Sequence, residues 1–278
     1  MPILDNHIHL EPFRGRNVDA VRDFERQGGT HLIISHLPYE EISTKELSDF
    51  KRAFDLTVSM KDRVNKETHV KAYATVGPYP VQLMDLEKLF GLDRAKELMF
   101  RALEMSADYV RENKALAIGE VGRPHFPVST EIWNASNELM LLAMALAKEA
   151  QCAIVLHTEH ATPDNMREFA SMAEKAGLDR DKVVKHYSPP LIHPKENFGL
   201  MPSVLAGKEA VKEALGKGTR FLLETDFLDD PRRPGAVLSI ATVPKRTNAL
   251  MQQGLMTEEQ AYKIHVENPK TTYGSAFE

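Results

Sequence analysis

A single cysteine, Cys152, in a chain of 278 residues leaves nothing to build an internal disulfide framework from, which fits a reducing compartment. Cys152 opens an apolar run and reads as core filler. No uninterrupted apolar stretch reaches about 18 residues, the length a helix needs to cross a bilayer, and the N-terminus shows no basic segment followed by an apolar one of the secretory kind. The expectation is a soluble cytoplasmic protein with no membrane partner. Positive charge is short as well, since 35 Lys and Arg against 40 Asp and Glu leave −5 at pH 7. Binding long nucleic acid over a whole surface rests on neutralising phosphates with Lys and Arg, so this balance argues against it and leaves only a local basic patch. No low-complexity segment and no shift of composition marks a linker.

With 42% hydrophobic and 27% charged residues, the chain can bury a large core, and composition suits one α/β barrel or two smaller domains. The order of segments decides between them. Strand-like runs over residues 2–9, 30–36, 69–76, 116–120, 152–157, 182–186, a weak one near 197–201, and 219–224 alternate with helix-like segments over 17–27, 44–65, 84–113, 130–150, 164–176, a stretch ending at Lys217, 235–253 and 257–265. Gly28-Gly29 and Gly77-Pro78-Tyr79-Pro80 punctuate the pattern, Gly91 is a break point in the long helical stretch, and Ser203 reads as the N-cap of the helix that ends at Lys217. Strands alternating with helices over this length predict a (β/α)₈ barrel, for which about 250 residues is usual, in a single domain spanning 1–278.

The chemistry begins in Asp5-Asn6-His7-Ile8-His9. Side chains two apart on a strand share a face, so Asp5, His7 and His9 are expected to project together. Later strand-like runs each end in a residue able to bind a metal: Glu120, His157, His186 and Asp226. Any one of them alone reads best as a hydrogen-bonded structural group. Their joint recurrence at strand ends, where a barrel carries its active site, makes coincidence the weaker explanation. Imidazoles and carboxylates are zinc, manganese or iron ligands, and His7, His9, Glu120, His157, His186 and Asp226 are too many for one tetrahedral zinc. The expected cofactor is therefore two divalent ions, zinc first, with manganese, magnesium or iron as alternatives. A hydroxide shared between ions about 3.5–4 Å apart would be the nucleophile.

The chain resembles the TatD-type metal-dependent hydrolases, barrels of the amidohydrolase superfamily that include deoxyribonucleases. Asp5-Asn6-His7-Ile8-His9-Leu10, Ile118-Gly119-Glu120-Val121-Gly122, Ile154-Val155-Leu156-His157, His186-Tyr187-Ser188 and Leu222-Leu223-Glu224-Thr225-Asp226 carry the resemblance, with Glu267-Asn268-Pro269 and Tyr273-Gly274 near the end. It implies that His7, His9 and Asp226 hold one ion, that His157 and His186 hold the other, and that Glu120 bridges them. It also implies that Asp226 is the general base.

Around that core the sequence departs from the family. Gly77-Pro78-Tyr79-Pro80 stands where the family has a His near the substrate phosphate, Gly122-Arg123-Pro124 replaces Gly-Leu-Asp, and Thr158-Glu159 replaces Ser-Arg. Arg14, Arg123 and Arg232, with Arg16 and Arg233, fall in loops after strands and are expected to bind an anion through forked donors. His36, His125, Glu159, His160 and Tyr187 are candidates to support the ligands or touch substrate. His31, His69, His193 and His265 read as surface residues, and Trp133 as packing. The expected activity is phosphoester hydrolysis of a small or short anionic substrate, nucleic acid included. An amide- or lactone-type hydrolase of the same superfamily is the alternative.

Overall fold

The computed structural model describes residues 1–274. Its strands are β1 (Leu4–His9), β2 (His31–Ser35), β3 (Lys71–Val76), β4 (Ala117–Gly122), β5 (Ala153–His157), β6 (Val183–Ser188), β7 (Met201–Leu205), β8 (Leu222–Glu224) and β9 (Phe227–Leu228). The helices are α1 (Val18–Arg26), α2 (Leu47–Glu67), α3 (Gln82–Phe90), α4 (Leu92–Arg111), α5 (Thr130–Glu149), α6 (Pro163–Ala176), α7 (Pro194–Asn197), α8 (Lys208–Lys217), α9 (Thr242–Gln252), α10 (Glu258–Tyr262) and α11 (Asn268–Tyr273). Every strand runs parallel to its neighbours, in the order β8-β7-β6-β5-β4-β3-β2-β1-β9.

Only Thr225 and Asp226 separate β8 from β9, so the two are one strand position broken at that dipeptide. The first half pairs with β7 through Ser203 and Leu222, and the second pairs with β1 through Ile8 and Phe227. The sheet thus curls round on itself, as the sequence pattern of a (β/α)₈ barrel predicts. A strand buried on both faces needs apolar residues throughout, and these have them. Leu4, Ile33, Val155, Val184, Met201 and Leu222 fill the inside of the barrel. Between sheet and helices, Ile118, Ile154 and Leu156 pack with Phe54, Met140 and Phe169.

Caps legible in the sequence fix where the helices over the site begin. The Ser129 side chain accepts from the Ile132 amide to start α5, and Thr162 forms a capping box with Asn165 ahead of Pro163, which opens α6. Replacing such a cap by alanine costs about 1 kcal/mol. Gly91, at φ 80°, ends α3 and starts α4, so the long helical stretch is two helices.

Three expectations are corrected. The seventh strand is Met201–Leu205, later than 197–201, because Pro194–Asn197 forms a helical turn first. Ser203 therefore lies inside a strand, where its hydroxyl donates to Glu224, and α8 starts after Gly207 instead. The helix expected over 235–253 begins only at Thr242, the Pro- and Gly-bearing loop before it running in turns and bends beside the barrel mouth.

Candidate metal centre

β1 does not keep a strict alternation. Its register with β2 slips between Asp5 and Ile8, and Asp5 turns away from the two histidines to accept from the Thr225 amide (3.0 Å) and hydroxyl (2.7 Å). His7 and His9 meet at their Nε2 atoms, 3.2 Å apart. Ser35, the last residue of β2, orients both: its carbonyl lies 2.9 Å from His9 Nδ1 and its hydroxyl 3.0 Å from His7 Nδ1. An imidazole that donates from Nδ1 keeps a lone pair on Nε2, which is the form a ligand needs.

Glu120 enters from β4 between two glycines. A Cβ on Gly119 would lie 2.6 Å from Val155 Cβ, and Gly122, at φ 141°, passes the His157 carbonyl too closely for any side chain. The Gly-Glu-x-Gly spelling is thus what lets β4 lie against β5 at the level of Glu120 and His157. Glu120 Oε1 sits 3.0 Å from His186 Nε2, 3.1 Å from His7 Nε2 and 3.5 Å from His157 Nδ1. Asp226, at φ 52° in the break between β8 and β9, places Oδ1 3.4 Å from His9 Nε2 and 3.8 Å from His7 Nε2.

All six residues expected at strand ends therefore converge. Three overlapping groups, His7–His9–Glu120, Glu120–His157–His186 and His7–His186–Asp226, each keep their ligand atoms within 4.8 Å of one another. Glu120 Oε1 is buried and, among the described residues, has no hydrogen-bond partner although three imidazole nitrogens surround it. A buried carboxylate oxygen without a partner is costly, and a cation among those nitrogens removes the cost, so the residues fit divalent ions. Burial alone would raise the Glu120 carboxyl, yet the charges of His186, His7 and His157 outweigh it and hold the group well below its usual range. Asp226 behaves alike: burial pushes it up, but the hydrogen bond with His9 and the nearby imidazole charges bring it below the ordinary value.

A second layer holds this cluster. His186 Nδ1 faces Glu224 Oε1 at 3.2 Å, and the same oxygen accepts from the Tyr187 amide at 2.6 Å. His157 Nε2 lies 2.9 Å from His125 Nδ1 and 3.1 Å from the Tyr79 hydroxyl. Tyr79, His125, Tyr187 and Arg233 line the cavity over Glu120 and Asp226. A neighbouring cavity of about 420 Å³ opens beside His157 and His186, with Lys185 and His160 in its wall.

Of the five arginines expected to bind an anion, Arg233 lines the cavity over the cluster and the other four are placed otherwise, Arg16 pairing with Asp23 at 2.7 Å. Arg123 is 1% exposed; it lies 4.0 Å over the Trp133 ring and forks onto Glu159 (2.6 and 2.8 Å) and Glu168 (2.9 Å). That guanidinium is spent on structure, and Glu159 with it, while Trp133 is more than packing. Arg14 pairs with Glu41 at 2.6 Å, and Arg232 pairs with Glu40 at 2.7 and 2.9 Å and with Asp230 at 3.1 Å. Both lie beside the groove at His9, but their donors are already engaged. His265, expected at the surface, is buried: its Nε2 bonds the Thr247 hydroxyl (2.9 Å) and its Nδ1 sits 3.2 Å from the Leu4 amide.

Sequence reasoning passed over Ser35, Glu224, Tyr79 as a neighbour of His157, and Lys185. For two of them a signal existed. Glu224 stands two residues before Asp226 in an apolar run, and Lys185 is the one charge in Val183-Val184-Lys185.

Comparison with known proteins agrees with this fold. An uncharacterized protein of Methanocaldococcus jannaschii is 38% identical over 275 residues, which is 98% of this chain and 96% of that protein. The TatD homolog YJJV of Escherichia coli K12 superposes with a TM-score of 0.65 at 19% identity, covering 98% of this chain and 97% of that one. A mutant PTE-like lactonase of Deinococcus radiodurans gives a TM-score of 0.66 at 14% identity, over 98% and 95%. The profile of TatD related DNase matches residues 4–274, and this chain belongs to that family.

Proposed function

We propose that this hydrolase cleaves a phosphoester of a small or short anionic molecule, with two divalent ions held by His7, His9 and Asp226 on one side, His157 and His186 on the other, and Glu120 between them. The observation that carries the reading is Glu120 Oε1, buried, unbonded and within 3.0–3.5 Å of three imidazole nitrogens. Zinc is the expected metal, with manganese, magnesium or iron as alternatives. Such ions, when bound, polarise the phosphoryl oxygen and lower the pKa of water towards about 7.

The protein's own groups do the rest. Asp226, held ionised, accepts the proton of the attacking water at its carboxylate. Arg233, in the wall of the same cavity, keeps its Nε on Asp230 at 3.2 Å and offers its terminal nitrogens to the non-bridging oxygens, and Tyr79 and His125 bound the space for the leaving group. Arg14, Arg123 and Arg232, expected in the same role, are engaged by carboxylates, so the cationic surface for a long polyanion is small. That same shortage of free cations favours a second reading, a lactone- or amide-type hydrolase, whose neutral substrate needs fewer of them.

Metal-reconstituted protein assayed on phosphomonoesters, phosphodiesters, lactones and N-acyl amides separates the two. Faster turnover of a phosphoester supports the proposal, and turnover of lactones alone overturns it.

A further inference from the structure

Lys185 is the residue that neither the metal cluster nor its supporting layer uses. It lies on β6 beside His186 and is 1% exposed. An ammonium has three donors, and among the described residues Nζ has one hydrogen-bond acceptor, the His186 carbonyl at 2.6 Å, and no carboxylate within ion-pair distance. Burying a charge without a partner is among the costlier things a fold can do, and a strand position flanked by Val183 and Val184 gives no packing reason for it. The side chain is nevertheless in the wall of the cavity of about 420 Å³ that also touches His157, His186 and Asp226. Of the two carboxylates in that wall, Glu159 is bound by Arg123 and by the Asn165 side-chain amide at 3.2 Å, and Asp226 faces His9 and His7, so both charges are already answered.

We propose that Lys185 is a specificity residue that pairs with a second oxyanion of the substrate, a carboxylate or phosphate separate from the ester being hydrolysed. This rests on the hydrolytic reading of the adjacent cluster, since the same cavity must hold the scissile bond at one end and this anion at the other. A Lys ammonium is a point charge, so it takes a single oxygen of either group and does not select a planar fork. Arg233 and Lys185 line adjoining parts of one cleft, which share His125, His157, His186, Tyr187 and Asp226, so the reacting group and the remote anion fall to different cations. The substrate class is therefore a small ester carrying a fixed negative charge a few bonds from the point of cleavage.

The test uses metal-loaded full-length protein and substrates in matched pairs: an aryl phosphodiester and a lactone, each with a neutral side chain or with the same chain ending in a carboxylate or a phosphate. A charge-assisted hydrogen bond in a buried site predicts that the charged member is preferred about 10- to 100-fold in kcat/KM, chiefly through KM. Lys185→Met, which keeps the length of the side chain, should abolish that preference, and its Tm should be no lower than the parent's because an unpaired buried charge is gone. The carboxylate and phosphate members show which oxyanion is taken. Equal rates for charged and neutral members in the parent overturn the proposal without recourse to any variant, as does a preference that survives Lys185→Met. If lactones alone are turned over, the phosphoester reading fails while the lactone pair still reads Lys185. If nothing is turned over, thermal stabilisation by succinate or inorganic phosphate decides: stabilisation of the parent that Lys185→Met loses supports the pairing, and none in the parent, or the same in both proteins, overturns it.

Discussion

Glu224 stands directly behind His186. Its Oε1 lies 3.2 Å from Nδ1 of that ring, while the opposite ring nitrogen lies 3.0 Å from Glu120 Oε1. Three elements are tied through one carboxylate, because Glu224 also accepts from the Tyr187 amide on β6 and from the Ser203 hydroxyl on β7. Such a partner fixes the orientation of an imidazole and raises its basicity as a ligand.

Glu224→Gln keeps the shape and a hydrogen-bond acceptor but removes the charge. Metal affinity should fall about 10- to 100-fold. Competition with a chelator reads that loss, and circular dichroism of the metal-free variant should match the parent. Parent-like affinity would reduce Glu224 to a packing group.

Arg123 supports the loop after β5 twice, since its amide donates to the His157 carbonyl at 3.0 Å and its guanidinium holds Glu159 and Glu168. Arg123→Ala strands Glu159 and removes the ring contacts with Trp133 and Phe169. Breaking a buried pair by deleting one partner costs about 3–5 kcal/mol; Glu168, 44% exposed, is rehydrated on the loss, so about 3 kcal/mol is expected. Urea denaturation measures it, and a loss under about 1 kcal/mol would make this an ordinary surface cluster.

The barrel and the residues of the candidate metal centre were legible because strand patterning and strand ends are local features. Apolar runs announced the strands, the seventh being set too early, and a candidate ligand stood at the end of five of them. What failed was orientation that depends on distant partners. Asp5 shares the parity of His7 and His9 but leaves their face because β1 slips its register against β2, an event no periodicity records. Arg123 lies in the right loop and points into a cage of Trp133, Glu159 and Glu168, residues that only the fold assembles around it. Lys185 and Glu224 were hidden for the same reason, each being one polar letter in an apolar strand.

His265 makes a pH prediction outside the metal cluster. Burial lowers its pKa to about 4, against 6.5 when free, with the Leu4 carbonyl, 3.2 Å from Nδ1, opposing and the charge of His31 assisting. The folded protein holds this ring neutral, so below pH 6.5 the unfolded chain takes up a proton that the folded one refuses. The contribution to stability is whole above about 6.5, is lost progressively as pH falls towards about 4, and changes no further below that. At about 1.4 kcal/mol per pH unit, roughly 3 kcal/mol is at stake. His36, lowered to about 3 by burial, acts in the same direction, so the comparison must be between parent and His265→Gln. The variant should show a shallower fall of stability between pH 6.5 and 4. Parallel curves for the two proteins would exclude His265 as a source of the acid sensitivity.

Asp226 is expected to serve both as ligand and as base, and the two roles separate in Asp226→Asn. The amide keeps the size of the side chain and one oxygen, which is enough to contact an ion, but it has no charge and cannot accept the proton of the attacking water. Its position in the break between β8 and β9 is set by the backbone, with its amide donating to the His7 carbonyl at 3.0 Å, so the substitution leaves the geometry in place. Occupancy should therefore fall little while turnover falls about 10²–10⁴-fold, the usual contribution of general-base catalysis. His7→Ala should lose metal first, since His7 Nε2 lies 3.1 Å from Glu120 Oε1 and 3.8 Å from Asp226 Oδ1, between the two carboxylates of the candidate site. Elemental analysis beside single-turnover rates distinguishes the two variants. If fully loaded Asp226→Asn stays within about tenfold of the parent, a barrier change of only about 1.4 kcal/mol, the proton goes elsewhere and Asp226 is a ligand alone.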